Sequence, residues 1–293
     1  MLIWFDKTFE PGNDLPKLSG DCSGVLMEIA YVTVIPGQAP MSGIAGWIAA
    51  AVTPRNRHEE MDFGAAFELL DFLCRAGVDG IALFTATGEY PSLAADERSR
   101  LLYLAVKRSR APLSVGIGAA TLDASLSLAR EARDAGAAAL LLPPPYFFRY
   151  EQDDIREFYL QFAAHTGSGP PIYIVDTPEL TTAIEPDTLR SLLATSYFAG
   201  LADTISEVAC AVPELIHALR GDAAVLDGYV REFTNWSRQF PATIALKAAL
   251  NLRGLKTGPF HVPLTPAKQR RLDEFREWFQ GWLARVKKIA VHA

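Results

Sequence analysis

Arg75-Ala-Gly-Val-Asp-Gly-Ile-Ala-Leu83 and Arg133-Asp-Ala-Gly-Ala-Ala-Ala-Leu-Leu141 share one grammar: the end of a helix, a glycine stop, then a short apolar run. Glycine just past a helix supplies the left-handed residue that ends it. An apolar run without polar alternation suits a strand covered on both faces, as in a parallel sheet. Two such units in register with each other predict a chain of repeated βα units. Repeats of that kind close into a barrel, and a doubly wound open sheet fits the same pattern.

Working outward, the same reading places strands at residues 47–52, 80–85, 113–118, 138–142, 172–175, 198–202 and 224–228. Helices are predicted over 62–76, 94–109, 121–135 and 153–166, with Gly77 and Gly136 as stops. The first helix is expected to bury Phe63, Phe67, Leu70 and Cys74, the third Ala124, Leu128, Ala132 and Ala135. Glu185-Pro186-Asp187 opens a short helix, with proline in the first turn where its missing N–H costs nothing. After residue 202 a helix carrying Val208, Val212, Ile216 and Leu219 on one face is expected. Beyond residue 228 come helices at 243–253 and from 265 onward, and no eighth strand. The expected fold is therefore α/β, a (β/α)8 TIM-type barrel over residues 41–293 that is incomplete at strand eight. Residues 1–40 form a turn-rich extension with one strand-like run at 25–35. Three readings stay open for it: a disordered tail, a strand that fills the gap in the sheet, or residues that precede a true start at Met41.

Composition narrows the function classes. A net charge of -6 argues against a nucleic-acid or anionic-membrane partner. The basic residues Lys268, Arg270, Arg271, Arg285, Lys287 and Lys288 fall in one helical pattern and read as a solvated face. Cys22, Cys74 and Cys210 match no disulfide or metal spacing, so free thiols in a reducing cytoplasm are expected. No apolar segment follows a basic start, and the longest uncharged apolar run, 43–52, is too short to span a bilayer.

In a parallel barrel the chemistry sits on the C-terminal ends of the strands and the loops after them. Strand two ends in Thr85-Ala-Thr-Gly-Glu89, a small-residue turn whose backbone N–H groups suit a carboxylate; a plain tight turn is the alternative. Strand four ends in Pro143-Pro-Pro-Tyr-Phe-Phe148, stiff backbone followed by aromatics that would wall a pocket or pack in a core or interface. Gly116-Ile-Gly118 brushes a dinucleotide fingerprint but lacks its third glycine, and the following strand ends in no acid for a ribose. The five histidines form no paired ligand motif, and no metal or other cofactor is expected. Asp176 and Asp203, ending strands five and six, would serve acid–base work or a cation, or simply cap the turns that follow.

Gly77-Val-Asp-Gly-Ile-Ala-Leu-Phe-Thr-Ala-Thr-Gly-Glu-Tyr-Pro-Ser-Leu93, followed by Asp96-Glu97-Arg98, resembles the dihydrodipicolinate synthase and N-acetylneuraminate lyase family. Pro145-Tyr146-Phe147 resembles that family's strand-four loop, residues 47–54 its first strand, and residues 172–186 its fifth strand and loop. The resemblance implies an eight-stranded barrel, assembled as a homo-oligomer, in which a strand-six lysine forms a Schiff base with pyruvate or a related 2-keto acid. It also implies a strand-five tyrosine as proton relay and substrate contacts at Ala86, Thr87, Gly88, Tyr146 and Phe147.

The departures fall on the reacting positions and on the strand-two turn, where Ala86 stands for the family's first threonine while Thr87 and Gly88 remain. Where the family has Gly-Ile-Lys-Asp/Glu, this chain has Gly200-Leu201-Ala202-Asp203, so Ala202 stands at the lysine position. Val175 stands at the tyrosine position, and Tyr173 lies two residues deeper on the same strand. No lysine occurs between Lys107 and Lys247, and Lys247 resembles a family lysine in a C-terminal helix outside the reacting centre. The expectation is a lyase-family protein that has lost Schiff-base catalysis: a pseudoenzyme or keto-acid-binding protein, alone or paired with an intact paralogue. The alternative is a repurposed lyase using Asp176 and Asp203.

Overall fold

The computed structural model describes residues 32–34, 46–202, 207–219, 222–241, 243–260 and 262–292. Six parallel strands run through it: β2 (Ile48–Ala50), β3 (Gly80–Leu83), β4 (Leu113–Gly116), β5 (Ala139–Leu142), β6 (Ile172–Ile174) and β7 (Gly200–Ala202). They pair in sequence order from β2 to β7 and curl into a half-barrel of the TIM type. A short strand, β1 (Val32–Val34), joins the free edge of β7 antiparallel, with Val32 opposite Ala202 and Val34 opposite Gly200. Of the strand expected at residues 25–35, these three lie within the described residues, and they cap an edge that would otherwise template aggregation.

Helices alternate with the strands: α1 (Phe63–Ala76), α2 (Ala95–Arg108), α3 (Leu122–Ala135), α4 (Gln152–Thr166) and α5 (Pro186–Leu193). Both glycine stops behave as expected. Gly77 and Gly136 sit at φ 76° and 94° and donate back to the last carbonyls of α1 and α3. Asp62 and Thr121 cap the opposite ends, accepting the N–H groups of Ala65 and Ala124.

Two expectations are corrected here. Residues 224–228 are not a strand: they lie in α8 (Ala223–Ser237), capped by Asp222, whose Oδ1 accepts the Val225 N–H at 3.2 Å. Among the described residues no parallel strand follows β7. The segment after it is helical, α6 (Glu207–Ala211) and α7 (Pro213–Ala218), split at Pro213; Val208, Val212, Ile216 and Leu219 are buried as expected. Helix α6 lies against β2, the other outer strand, with Cys210 beside the Val52 amide. The buried faces of α1 and α3 are also rotated from the expected ones. They carry Ala65, Ala66, Leu69, Leu70 and Leu73 in α1, and Ser125, Leu126, Ala129 and Ala132 in α3.

Alternation along the strands makes two cores. Ala49, Ile81, Val115, Leu140, Leu142 and Ile174 face the helices in the large core. Ile48, Ala82, Ala139, Leu141, Tyr173 and Ala202 line the inside, with Val175 packed against them. The C-terminal part adds an aromatic seam continuous with the large core. Helices α9 (Ile244–Leu252) and α10 (Pro266–His292) complete the fold, and α8 and α10 interlock through Phe233, Trp236, Phe275, Trp278, Phe279 and Trp282. The basic residues of α10 are exposed, as a solvated face requires. No helix among the described residues is long and apolar enough to cross a membrane.

Candidate active site

The site is built at the C-terminal end of β3. Phe84 follows the strand in a left-handed conformation, φ 57°, and swings the chain into the turn at Thr85–Glu89. The Gly88 and Glu89 N–H groups donate to the Thr85 and Ala86 carbonyls at 3.0 and 2.9 Å. The Ala86 and Thr87 N–H groups have no acceptor among the described residues. Thr87 and Gly88 are buried, Ala86 is half-buried, and Thr53 Oγ1 pins the turn by donating to the Gly88 carbonyl at 2.8 Å. Gly88 fits closely, since a Cβ there would stand 3.2 Å from the Phe84 nitrogen and 3.3 Å from the Ala51 carbonyl oxygen.

Beneath the turn, Arg98 is buried with its guanidinium 4.9 Å from the Phe84 ring centroid and donating to the Gly116 carbonyl. Burial pulls the Arg98 guanidinium down to about 10. Thr85 Oγ1 and Tyr90 Oη are buried without a hydrogen-bond partner, as is Ser114 Oγ, in register between Ala82 and Ala139. Burial pushes the Tyr90 hydroxyl well above its ordinary range. Buried hydroxyls without a partner are uncommon in folded proteins and make this part of the barrel the candidate site.

The other sequence-predicted residues fall as follows. Tyr146 is half-buried at the mouth, its ring edge-on to Tyr90 at 5.6 Å, and its backbone bridges to Thr181. Phe147 turns outward, 78% exposed at φ 93°, edge-on to Phe148, itself 64% exposed. Neither ring packs in the core, contrary to one of the two expectations for this loop. Asp176 follows β6, and its Oδ1 accepts the Ile184 N–H at 3.3 Å, the turn-capping arrangement. Asp203 lies outside the described residues. Tyr173 sits inside the barrel opposite Gly200, where burial raises its hydroxyl above the ordinary value. Val175 packs against the inner cluster that contains Ala202. The turn, Tyr146 and the Ala202–Val175 pair thus share one end of the barrel, and Phe147 does not join them.

Three features were not foreseen from the sequence. Lys247, fully buried in α9, donates to Glu89 Oε2 at 2.6 Å, and Thr243 Oγ1 donates to Oε1 at 2.8 Å. Glu207 opens α6 with its carboxylate accepting from Ser237 Oγ at 3.0 Å, and burial, with Glu179 nearby, raises its pKa above the ordinary value. Arg98 had a signal, the Asp96-Glu97-Arg98 run; the Lys247 partnership spans 158 residues and had none. No group of three or more histidine, cysteine or acidic side chains among the described residues is placed to hold a metal ion.

Comparison with known proteins agrees with this architecture. The 4-hydroxy-tetrahydrodipicolinate synthase of Heliobacterium modesticaldum is 29% identical over 286 residues, covering 80% of this chain and 94% of that protein. The 4-hydroxy-tetrahydrodipicolinate synthase 1 of Streptomyces coelicolor is 30% identical over 297 residues, covering 84% and 94%. Dihydrodipicolinate synthase from Aquifex aeolicus superposes with a TM-score of 0.70 at 24% identity, covering 81% of this chain and 97% of its own. The sialic acid aldolase of Ruminococcus gnavus superposes with a TM-score of 0.69 at 16% identity, covering 82% and 98%. These two superpositions establish the fold alone. The profile of the dihydrodipicolinate synthetase family matches residues 43–234. With that match over most of the barrel, and relatives covered along nearly their whole length, the chain belongs to the dihydrodipicolinate synthetase family.

Proposed function

We propose that this member of an aldolase-type lyase family binds a small 2-keto acid at the Ala86–Gly88 turn without forming a Schiff base to it. One observation carries the reading: the inner positions at the ends of β7 and β6 are Ala202, within the inner apolar cluster, and Val175, packed against that cluster, both aliphatic. A covalent aldolase needs a lysine amine there and a proton relay beside it. From residue 108 to residue 246 the sequence has no lysine to offer. Removing such a nucleophile removes several factors of ten in rate, each worth ~1.4 kcal/mol of barrier. The carboxylate-binding half of the site is better preserved: the Ala86 and Thr87 amides are unclaimed, and Thr87 and Gly88 are in place. The exposed Phe147 and Phe148 favour assembly with a second copy or an intact paralogue.

The test is to incubate the protein with pyruvate and borohydride, then measure the intact mass, with calorimetric titration of pyruvate alongside. Binding without a covalent adduct is expected, while Ala202→Lys, given a folded protein, is expected to trap one reduced pyruvyl group. An adduct on the parent chain mapped to a lysine overturns the reading. Absence of binding by the parent overturns its other half.

A further inference from the structure

Glu89 is the last residue of the turn and holds a left-handed conformation, φ 56°, that a side-chain-bearing residue adopts only under constraint. Ser92 holds the Glu89 carbonyl through its N–H and Oγ, at 2.9 and 2.7 Å, and α9 holds the Glu89 side chain. Thr243 and Lys247, one helical turn apart, each take one oxygen of the same carboxylate, at 2.8 and 2.6 Å. Lys247 is 0% exposed and the Glu89 side chain 14%. The helix is itself tied down at Lys247, since Thr257 Oγ1 donates to the Lys247 carbonyl at 3.3 Å. A buried ion pair is poor evidence for stability as such, because the loss of hydration offsets most of the attraction. What it supplies here is position: the turn is gripped at Gly88 by Thr53 and at Glu89 by α9.

We propose that Lys247 and Thr243 are positioning residues: by clamping Glu89 they hold the Ala86 and Thr87 amides unpaired and set for the carboxylate of the ligand. This rests on the reading that the turn binds a 2-keto acid. It also gives Lys247 a role other than nucleophile. Its ammonium is committed to Glu89, and attack on a carbonyl would require it to give up that contact.

Lys247→Met and Glu89→Gln alone each break the buried ion pair from one side and can unfold the protein for that reason. The deciding protein is the double variant Lys247→Met/Glu89→Gln, which removes both of its charges. Folding is checked by circular dichroism and melting, turn order by amide hydrogen exchange of peptides covering residues 84–90, and binding by pyruvate titration. In a folded double variant, exchange in the turn is expected to accelerate about tenfold with the rest of the barrel unchanged. Pyruvate affinity is expected to fall about tenfold through lost preorganisation. Unchanged turn exchange in the folded double variant overturns the proposal, as does faster exchange with undiminished affinity. If the parent chain binds no pyruvate, the ligand reading fails by itself, and exchange alone then decides whether α9 holds the turn. Should the double variant not fold, Thr243→Val, which keeps the ion pair, carries the same readouts; both effects are expected at about threefold, and none at all overturns the clamp.

Discussion

Gly116→Ala is the substitution whose cost the structure states most directly. Gly116 ends β4 inside the barrel, and a Cβ there would stand 2.1 Å from the Phe84 carbonyl oxygen and 2.8 Å from its carbon. The obstacle is backbone held in a left-handed conformation, with Arg98 over its ring and bonded to the Gly116 carbonyl, so no flexible side chain can swing aside. Relief requires the Phe84 backbone to move by about 1 Å, since unstrained contacts lie well beyond 3 Å. Overpacking costs about 1–3 kcal/mol, and a rigid neighbour puts this site at the upper end. Alanine recovers about 0.4–1 kcal/mol by restricting the unfolded chain. The net is a loss of about 2 kcal/mol, or roughly 3 °C of melting temperature for a chain this size. The matched control is Gly281→Ala in α10, where nothing lies within 4 Å of the new Cβ. Helix propensity alone should raise stability there by up to about 1 kcal/mol. Both proteins are compared with the parent by thermal and urea unfolding followed by far-UV circular dichroism. If Gly116→Ala is neutral or stabilising, the description of the β3–β4 contact is wrong.

Two further outcomes follow from buried ionisable groups. Burial raises the Glu207 carboxyl above its ordinary value of 4.5. Above that pH the unfolded chain ionises freely while the folded one is penalised, so this group's contribution to stability falls as pH rises from 4.5 through the raised value. Glu207→Gln keeps an acceptor for Ser237 and should raise the melting temperature at neutral pH more than at pH 4.5; an equal gain at both would refute it. Burial likewise pushes the Cys210 thiol from 9.0 up to about 12, partly opposed by the Val52 amide. Its contribution is complete below 9.0 and is lost between there and about 12. Cys210 should resist alkylation in the native protein and react only on unfolding, while half-buried Cys74 reacts sooner, as peptide-resolved mass spectrometry would show.

The βα rhythm was legible because its signals are local: Gly77 and Gly136 stop helices, and unbroken apolar runs follow them. Residues 224–228 misled because a short apolar stretch fits a buried helix as well as a strand, and the cue that decides, Asp222 as a cap, lies just outside it. The face of α1 was misjudged for a tertiary reason. Phe63 and Phe67 are covered by the guanidiniums of Arg100 and Arg108 from α2, at 4.5 and 5.3 Å, so these rings lie at the helix–helix groove and the buried face falls to Ala65, Ala66, Leu69, Leu70 and Leu73. In the site, the turn could be read from its small residues and the positions of Ala202 and Val175 from resemblance. The clamp on Glu89 could not, because residues 154 and 158 positions away supply it.

The aromatic seam between α8 and α10 has an optical consequence. Trp236 and Trp278 lie 5.6 Å apart, and Trp278 and Trp282 5.5 Å, close enough to share excitation energy. Trp47 precedes β2, at the opposite end of the barrel from the Thr85–Glu89 turn. Three of the five tryptophans lie in α8 and α10, so intrinsic tryptophan fluorescence is weighted to the C-terminal helices. It times the parting of α8 from α10 during unfolding, and none of these three indoles meets a small colourless acid at the Ala86 and Thr87 amides, so a flat fluorescence titration says nothing about whether the mouth is filled.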